Sequence, residues 1–110
     1  MSAAQDTAML QLLGMAEFNH APVWTQAKPP QASATVTGHR RFIGNDETTL
    51  INAYGTDAVE MIVKASDFTT TPEKFDEFNV KGDNYVVHEV KHQVGFAGIV
   101  LLYRCFCKRG

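Results

Sequence analysis

A chain of 110 residues, 45% hydrophobic and 20% charged, has the composition of one globular domain with room for a single core. A net charge of −2 and a pI near 6.0 argue against a dedicated duplex-binding protein, which normally carries a basic stripe. No apolar run approaches the roughly 18–20 residues of a membrane span. The first six residues lack the basic and apolar regions of a signal peptide. A cytoplasm, in which the two cysteines stay reduced, is the expected compartment.

In chain order, residues 2–18 predict the one clear helix. Ser2 suits its N-cap, Asp6 sits near the positive end of the dipole, and Met9, Leu12, Leu13 and Ala16 form an apolar stripe. Gly14 weakens it by about 1 kcal/mol relative to Ala. About four turns are marginal alone, so this face is expected to dock on the rest of the chain or on a neighbour. Asn19, His20, Ala21 and Pro22 end the helix. Val23, Trp24 and Thr25 open a short strand, and Lys28-Pro29-Pro30 breaks it, because proline cannot donate to a ladder. Strand character resumes from Ser33 to Phe42, with Ala34, Val36 and Gly38 on one face and Thr35, Thr37 and His39 on the other.

Between Gly44 and Gly55 the pattern disappears. A loop of this length in so small a domain is usually functional or mobile. Val59, Met61 and Val63 then alternate with Glu60, Ile62 and Lys64 in another strand, and Thr69-Thr70-Thr71-Pro72 leads into a C-terminal meander. Its first strand carries Phe78 and Val80. Lys81-Gly82-Asp83-Asn84 is turn chemistry. The second strand runs from Tyr85 to Val90, the turn is Gly95-Phe96-Ala97-Gly98, and the third strand runs from Ile99 to Phe106. That last strand is apolar on both faces over its first half, as a central strand is. One helix and about five or six short strands predict a mainly β fold: a small β-barrel or sandwich of antiparallel strands with an N-terminal helix. It is one domain over residues 1–110, with the sheet at about 23–108. Closing the sheet would remove exposed edges.

Candidate chemistry is sparse. His88, His92, Cys105 and Cys107 are four zinc-type ligands. With the turn at residues 95–98, however, the expected pairing puts His88 opposite about Tyr103 and Cys105 opposite about Val86 or Val87. His92 then lies about 15–20 Å from Cys105, too far to share an ion. Cys105 and Cys107 share one strand face and read as core thiols. No nucleophile elbow, phosphate loop or dinucleotide fingerprint occurs. The pairs Asp46-Glu47 and Asp76-Glu77 read as solvated charge, and His20 and His39 as surface residues without evident partners. Arg40 and Arg41, with Arg104, Lys108 and Arg109, are candidate partner or DNA contacts, salt-dependent if they meet phosphates. Trp24, Tyr54, Tyr85, Phe96 and Tyr103 are candidate stacking residues of a single-strand-binding barrel, although most occupy positions a core would claim. No metal, cofactor or catalytic group follows from these residues.

The layout resembles a known family at Thr37-Gly38-His39-Arg40-Arg41-Phe42, at Ala58-Val59-Glu60-Met61-Ile62-Val63, and above all at Val80-Lys81-Gly82-Asp83-Asn84-Tyr85-Val86-Val87 with Val90. It is similar to the small head–tail joining (head-completion, or stopper) proteins of tailed phages, those of lambda and related prophages among them. The likeness implies a non-enzymatic virion component, assembled in the host cytoplasm as a ring in the neck below portal and adaptor. Such a ring helps retain packaged DNA and offers a surface to the tail tube or tail terminator protein. It further implies that the loop of Asn45, Asp46, Glu47, Thr48, Thr49, Leu50, Ile51, Asn52, Ala53 and Tyr54 projects into the lumen or towards a neighbouring subunit. Acidic Asp46 and Glu47 would there repel the phosphates of sliding DNA. The alternative is a small β-barrel module that binds single-stranded nucleic acid or a peptide.

Overall fold

The computed structural model describes residues 3–15, 18–29, 31–43 and 58–110. Among these residues one helix, α1 (Ala3–Gly14), precedes seven strands: β1 (Val23–Thr25), β2 (Ser33–Thr35), β3 (Gly38–Phe42), β4 (Ala58–Lys64), β5 (Glu77–Val80), β6 (Asp83–Val94) and β7 (Val100–Arg109). The fold is mainly β, as expected. All the strand pairings are antiparallel, and the sheet order is β2-β1-β5-β6-β7-β4-β3. The outermost strands, β2 and β3, are consecutive in sequence and separated only by Val36 and Thr37. So short a link between opposite edges makes the sheet curl into a half-barrel.

What had read as one strand from Ser33 to Phe42 is therefore two, divided where the chain leaves one edge for the other. Gly38 stands at that corner because nothing larger fits: a Cβ there would lie 2.7 Å from Val63 Cγ1 and 3.1 Å from the Ile62 carbonyl. The meander β5-β6-β7 is present, and β7 lies between β6 and β4, as its two apolar faces predict. The β5–β6 turn is tighter than expected. Val80 pairs with Asp83, so Asp83 and Asn84 already belong to β6 and only Lys81 (φ 50°) and Gly82 (φ 90°) turn. Two successive positive φ values match the twist of the flanking strands.

Residues facing inward form the core: Trp24, Phe78, Val80, Tyr85, Val87, Val59, Met61, Val63, Tyr103, Cys105 and Cys107, with Val36. Asp76, read from the sequence as solvated, is buried beside it. Its carboxylate accepts hydrogen bonds from Trp24 Nε1 (3.0 Å), Ala27 N (2.9 Å) and Glu73 N (2.9 Å). The chain around Phe75, at φ 79°, folds about this acceptor.

The helix is shorter than the predicted 2–18. It stops at Gly14, after which Met15 N reaches back to the Leu12 carbonyl. Nor is its docked face the predicted stripe. Leu13 is buried and Met9 half-buried, but Leu12 is 50% exposed and the buried partner one turn before Met9 is Asp6. Ala16 lies outside the described residues, as does the whole candidate loop from Asn45 to Tyr54. Among the described residues no helix is long and apolar enough to cross a membrane.

Candidate functional site

Helix α1 lies across the outer face of the half-barrel. Alternation along the strands places His39 and Arg41 of β3, Glu60 and Ile62 of β4, Leu102 and Arg104 of β7, and Gln93 of β6 on that face, opposite the core. Between them and Met9, Leu12, Leu13 and Phe18 runs an open cleft of about 390 Å³. Its walls are mostly apolar, and the Glu60 side chain lies buried beneath it. Glu60 is 0% exposed; its Oε1 accepts from Arg41 Nε at 2.8 Å. Arg104 Nη2 stands 2.7 Å from Oε2 as an ion pair, and among the described residues that oxygen accepts no hydrogen bond.

A second clasp of the same kind closes the inner side. Asp83 accepts from Arg40 Nη1 and from Arg109 Nη2, each at 2.8 Å, and Arg40 also donates to the Tyr85 hydroxyl at 3.0 Å. The Arg40 hydrogen bond foremost holds the Asp83 carboxyl below its ordinary value. Arg40 and Arg41, which read as one basic cluster, thus stand on opposite faces and each binds its own carboxylate. Lys108 is half-buried on the outer face, opposite Ala58 and Val86. Arg40, Arg41, Lys108 and Arg109 do not make a single basic patch.

The expected zinc register needs correction. The β6–β7 hairpin turns tightly at residues 96–98, so partners lie nearly symmetrically about Ala97. Tyr103 pairs with His92, and Cys105 with Val90. His92 is therefore two residues from Cys105 along the ladder, roughly 7 Å, and not 15–20 Å. It is exposed, with its ring edge-on to Tyr103 at 5.1 Å, whereas Cys105 faces the core. His88 is an extra residue, bulged between the pairs Val87–Cys107 and Glu89–Phe106. Among the described residues no three His, Cys, Asp or Glu side chains come within reach of one metal ion. Burial pushes the thiols of Cys105 and Cys107 well up, which makes them packing groups and not nucleophiles.

The proposed stacking residues divide sharply. Trp24, Tyr85 and Tyr103 are buried, whereas Phe96 is 58% exposed; Tyr54 lies outside the described residues. With Val94 and Ile99, Phe96 makes the tip of the β6–β7 hairpin an exposed apolar knob. A second exposed apolar surface lies at the far end of α1, on Leu12, Met15 and Phe18. Sequence reasoning missed the knob, although three large apolar residues around a Gly-containing turn were a legible signal. It also missed Glu60, the charge in the middle of a mostly apolar strand.

His20 and His39 are not isolated surface residues either. Their rings stack at 4.8 Å, and His20 Nδ1 accepts from the backbone N–H of Arg40. Comparisons of the chain with models of protein families, with curated proteins and with solved structures find no match.

Proposed function

We propose that this protein is a structural subunit of the neck of a tailed phage, forming a ring below the portal and adaptor that helps retain packaged DNA and receives the tail. It has no catalytic role in this reading, and it works in the virion after assembly in the bacterial cytoplasm. The observation that carries the proposal is the presence of two different exposed apolar surfaces on one small chain. A ring closes through heterologous contacts, in which the surface given differs from the surface received. The knob of Val94, Phe96 and Ile99 and the helix-end surface of Leu12, Met15 and Phe18 fit that requirement. The half-barrel with a weakly docked N-terminal helix also agrees with the layout the resemblance implies.

The arginines take a structural part in this reading. Arg40, Arg41 and Arg109 hold carboxylates of their own subunit, which stiffens the wall of a ring through which DNA passes. The single-strand-binding alternative draws no support from Trp24, Tyr85 and Tyr103, because buried rings offer bases no face.

The test is a phage carrying the double change Phe96→Asp and Ile99→Asp, with the purified variant first shown by circular dichroism to keep its β structure. Heads that have lost their DNA and carry no tails, beside free tails, are the expected particles under the electron microscope. Normal infectivity of that phage would remove the knob from the mechanism. A source genome with no portal, capsid or tail genes beside this reading frame would overturn the whole proposal.

A further inference from the structure

Strand β3 ends the sheet, and its outer edge is covered in an unusual way. Gly38 N donates to Asn19 Oδ1 at 3.1 Å, Gly38 O accepts from His20 N at 2.7 Å, and Arg40 N donates to His20 Nδ1 at 2.9 Å. Two side chains and one peptide N–H thus stand in for a neighbouring strand. Asn19 Oδ1 also takes the Ala21 N–H at 2.9 Å, which ties the cover into its own turn. A backbone N–H can only donate, so Nδ1 of His20 must carry a lone pair, and the proton of the neutral ring sits on Nε2. His39 is the reverse case. Its Nδ1 is 2.9 Å from the Phe18 carbonyl, which can only accept, so here Nδ1 bears the proton.

We propose that residues 19–20 are an acid-released cover for the β3 edge, opened when His20 takes up a second proton. A proton on Nδ1 would point at the Arg40 N–H, donor against donor, and the bond that holds the cover cannot survive it. Groups around the ring add to this effect. His39 is stacked on it, the Arg40 guanidinium follows on the same strand, and Lys81 approaches from the β5–β6 turn. Asp83, the acid bound to Arg40, is already shared with Arg109. Among the described residues no carboxylate pairs with either imidazole. Burial first, and then these three neighbours, lower the His20 pKa from 6.5, so opening belongs below that pH. The opened edge bares Gly38 N, Gly38 O and Arg40 N, the set to which an incoming antiparallel strand bonds.

Amide exchange measured by NMR, with protection corrected for the intrinsic effect of pH, tests the cover directly. The Arg40 amide is expected to lose about tenfold of its protection between about pH 7.5 and 5, the weight of one hydrogen bond. In His20→Asn the side-chain oxygen occupies the place of Nδ1 and does not titrate, so protection stays level. In His20→Ala it is low throughout. Level protection in the natural protein while His20 titrates would overturn the proposal, as would an undiminished pH effect in His20→Asn. Should neither variant fold, ring nitrogen shifts of the natural protein decide: a proton on Nδ1 of His20 at about pH 7.5 contradicts the cover.

Discussion

Asp76 shows how much one side chain organises. Its carboxylate is buried, and it satisfies the indole N–H of fully buried Trp24 together with two backbone N–H groups. Replacing it with Ala strands all three donors and is expected to cost about 3 kcal/mol; Asn, which keeps one acceptor oxygen, costs about 1–2 kcal/mol. Urea unfolding followed by Trp24 fluorescence measures both, and an Ala variant within about 0.5 kcal/mol of the natural protein would contradict the assignment. Gly38 tests a steric claim instead. A methyl at 2.7 Å from Val63 Cγ1, hemmed by the Ile62 carbonyl, forces the β2–β3 corner to move. Gly38→Ala should therefore destabilise by about 1–3 kcal/mol in the same measurement.

At the scale of elements, α1 is the part least integrated with the sheet. Its apolar anchorage is Leu13 and half-buried Met9, and its polar anchorage is Asp6 Oδ2, which accepts the Phe96 N–H at the hairpin tip at 2.6 Å. Asp6→Ala removes that tether while leaving every strand pairing in place. Hydrogen exchange across residues 3–14 should quicken about tenfold, the weight of one such bond, while β7 stays as protected as before. Equal acceleration in β7 would mean that the helix and the half-barrel unfold as one unit. The same weak docking leaves the cleft beneath α1 open, above the buried Glu60.

For the molecule as a whole, acid is the informative variable. His20 and His88 both have pKa values lowered from 6.5, burial being the first cause in each. Unfolding raises these pKa values, so the unfolded chain binds more protons; this stability is present above about 6.5 and fades as pH falls through the folded values. Asp83, depressed by Arg40, adds stability above its unfolded value of 3.8 and loses it as pH falls further through its folded value. The urea midpoint should therefore drop in two stages, the first flattened in the double variant His20→Asn, His88→Asn. The thiols report on the same global state. Cys105 and Cys107 sit in the core, so an aromatic disulfide reagent at about pH 8 should modify them at least 10³-fold more slowly than in the unfolded chain, roughly the folded-to-unfolded ratio of a small domain.

Most strand positions, the fold class and the central place of β7 were legible in the chain because they depend on local alternation and on runs apolar on both faces, but the division of residues 33–42 into two strands was not. The Lys81-Gly82 turn was legible for a similar reason, since few residues tolerate two positive φ values in succession. Facing partners were not. Arg40 and Arg41 are neighbours in sequence, yet alternation sends one to Asp83 and the other to Glu60, 43 and 19 residues away. Asp76 looked solvated because its three donors come from the β1 region and the turn before β5. The His20–His39 stack required the chain after α1 to lie along an edge that exists only once β2 and β3 have parted to opposite sides of the sheet. Periodicity constrains which face a residue takes. What it meets there is set by curvature and register, and those arise from contacts distant in the chain.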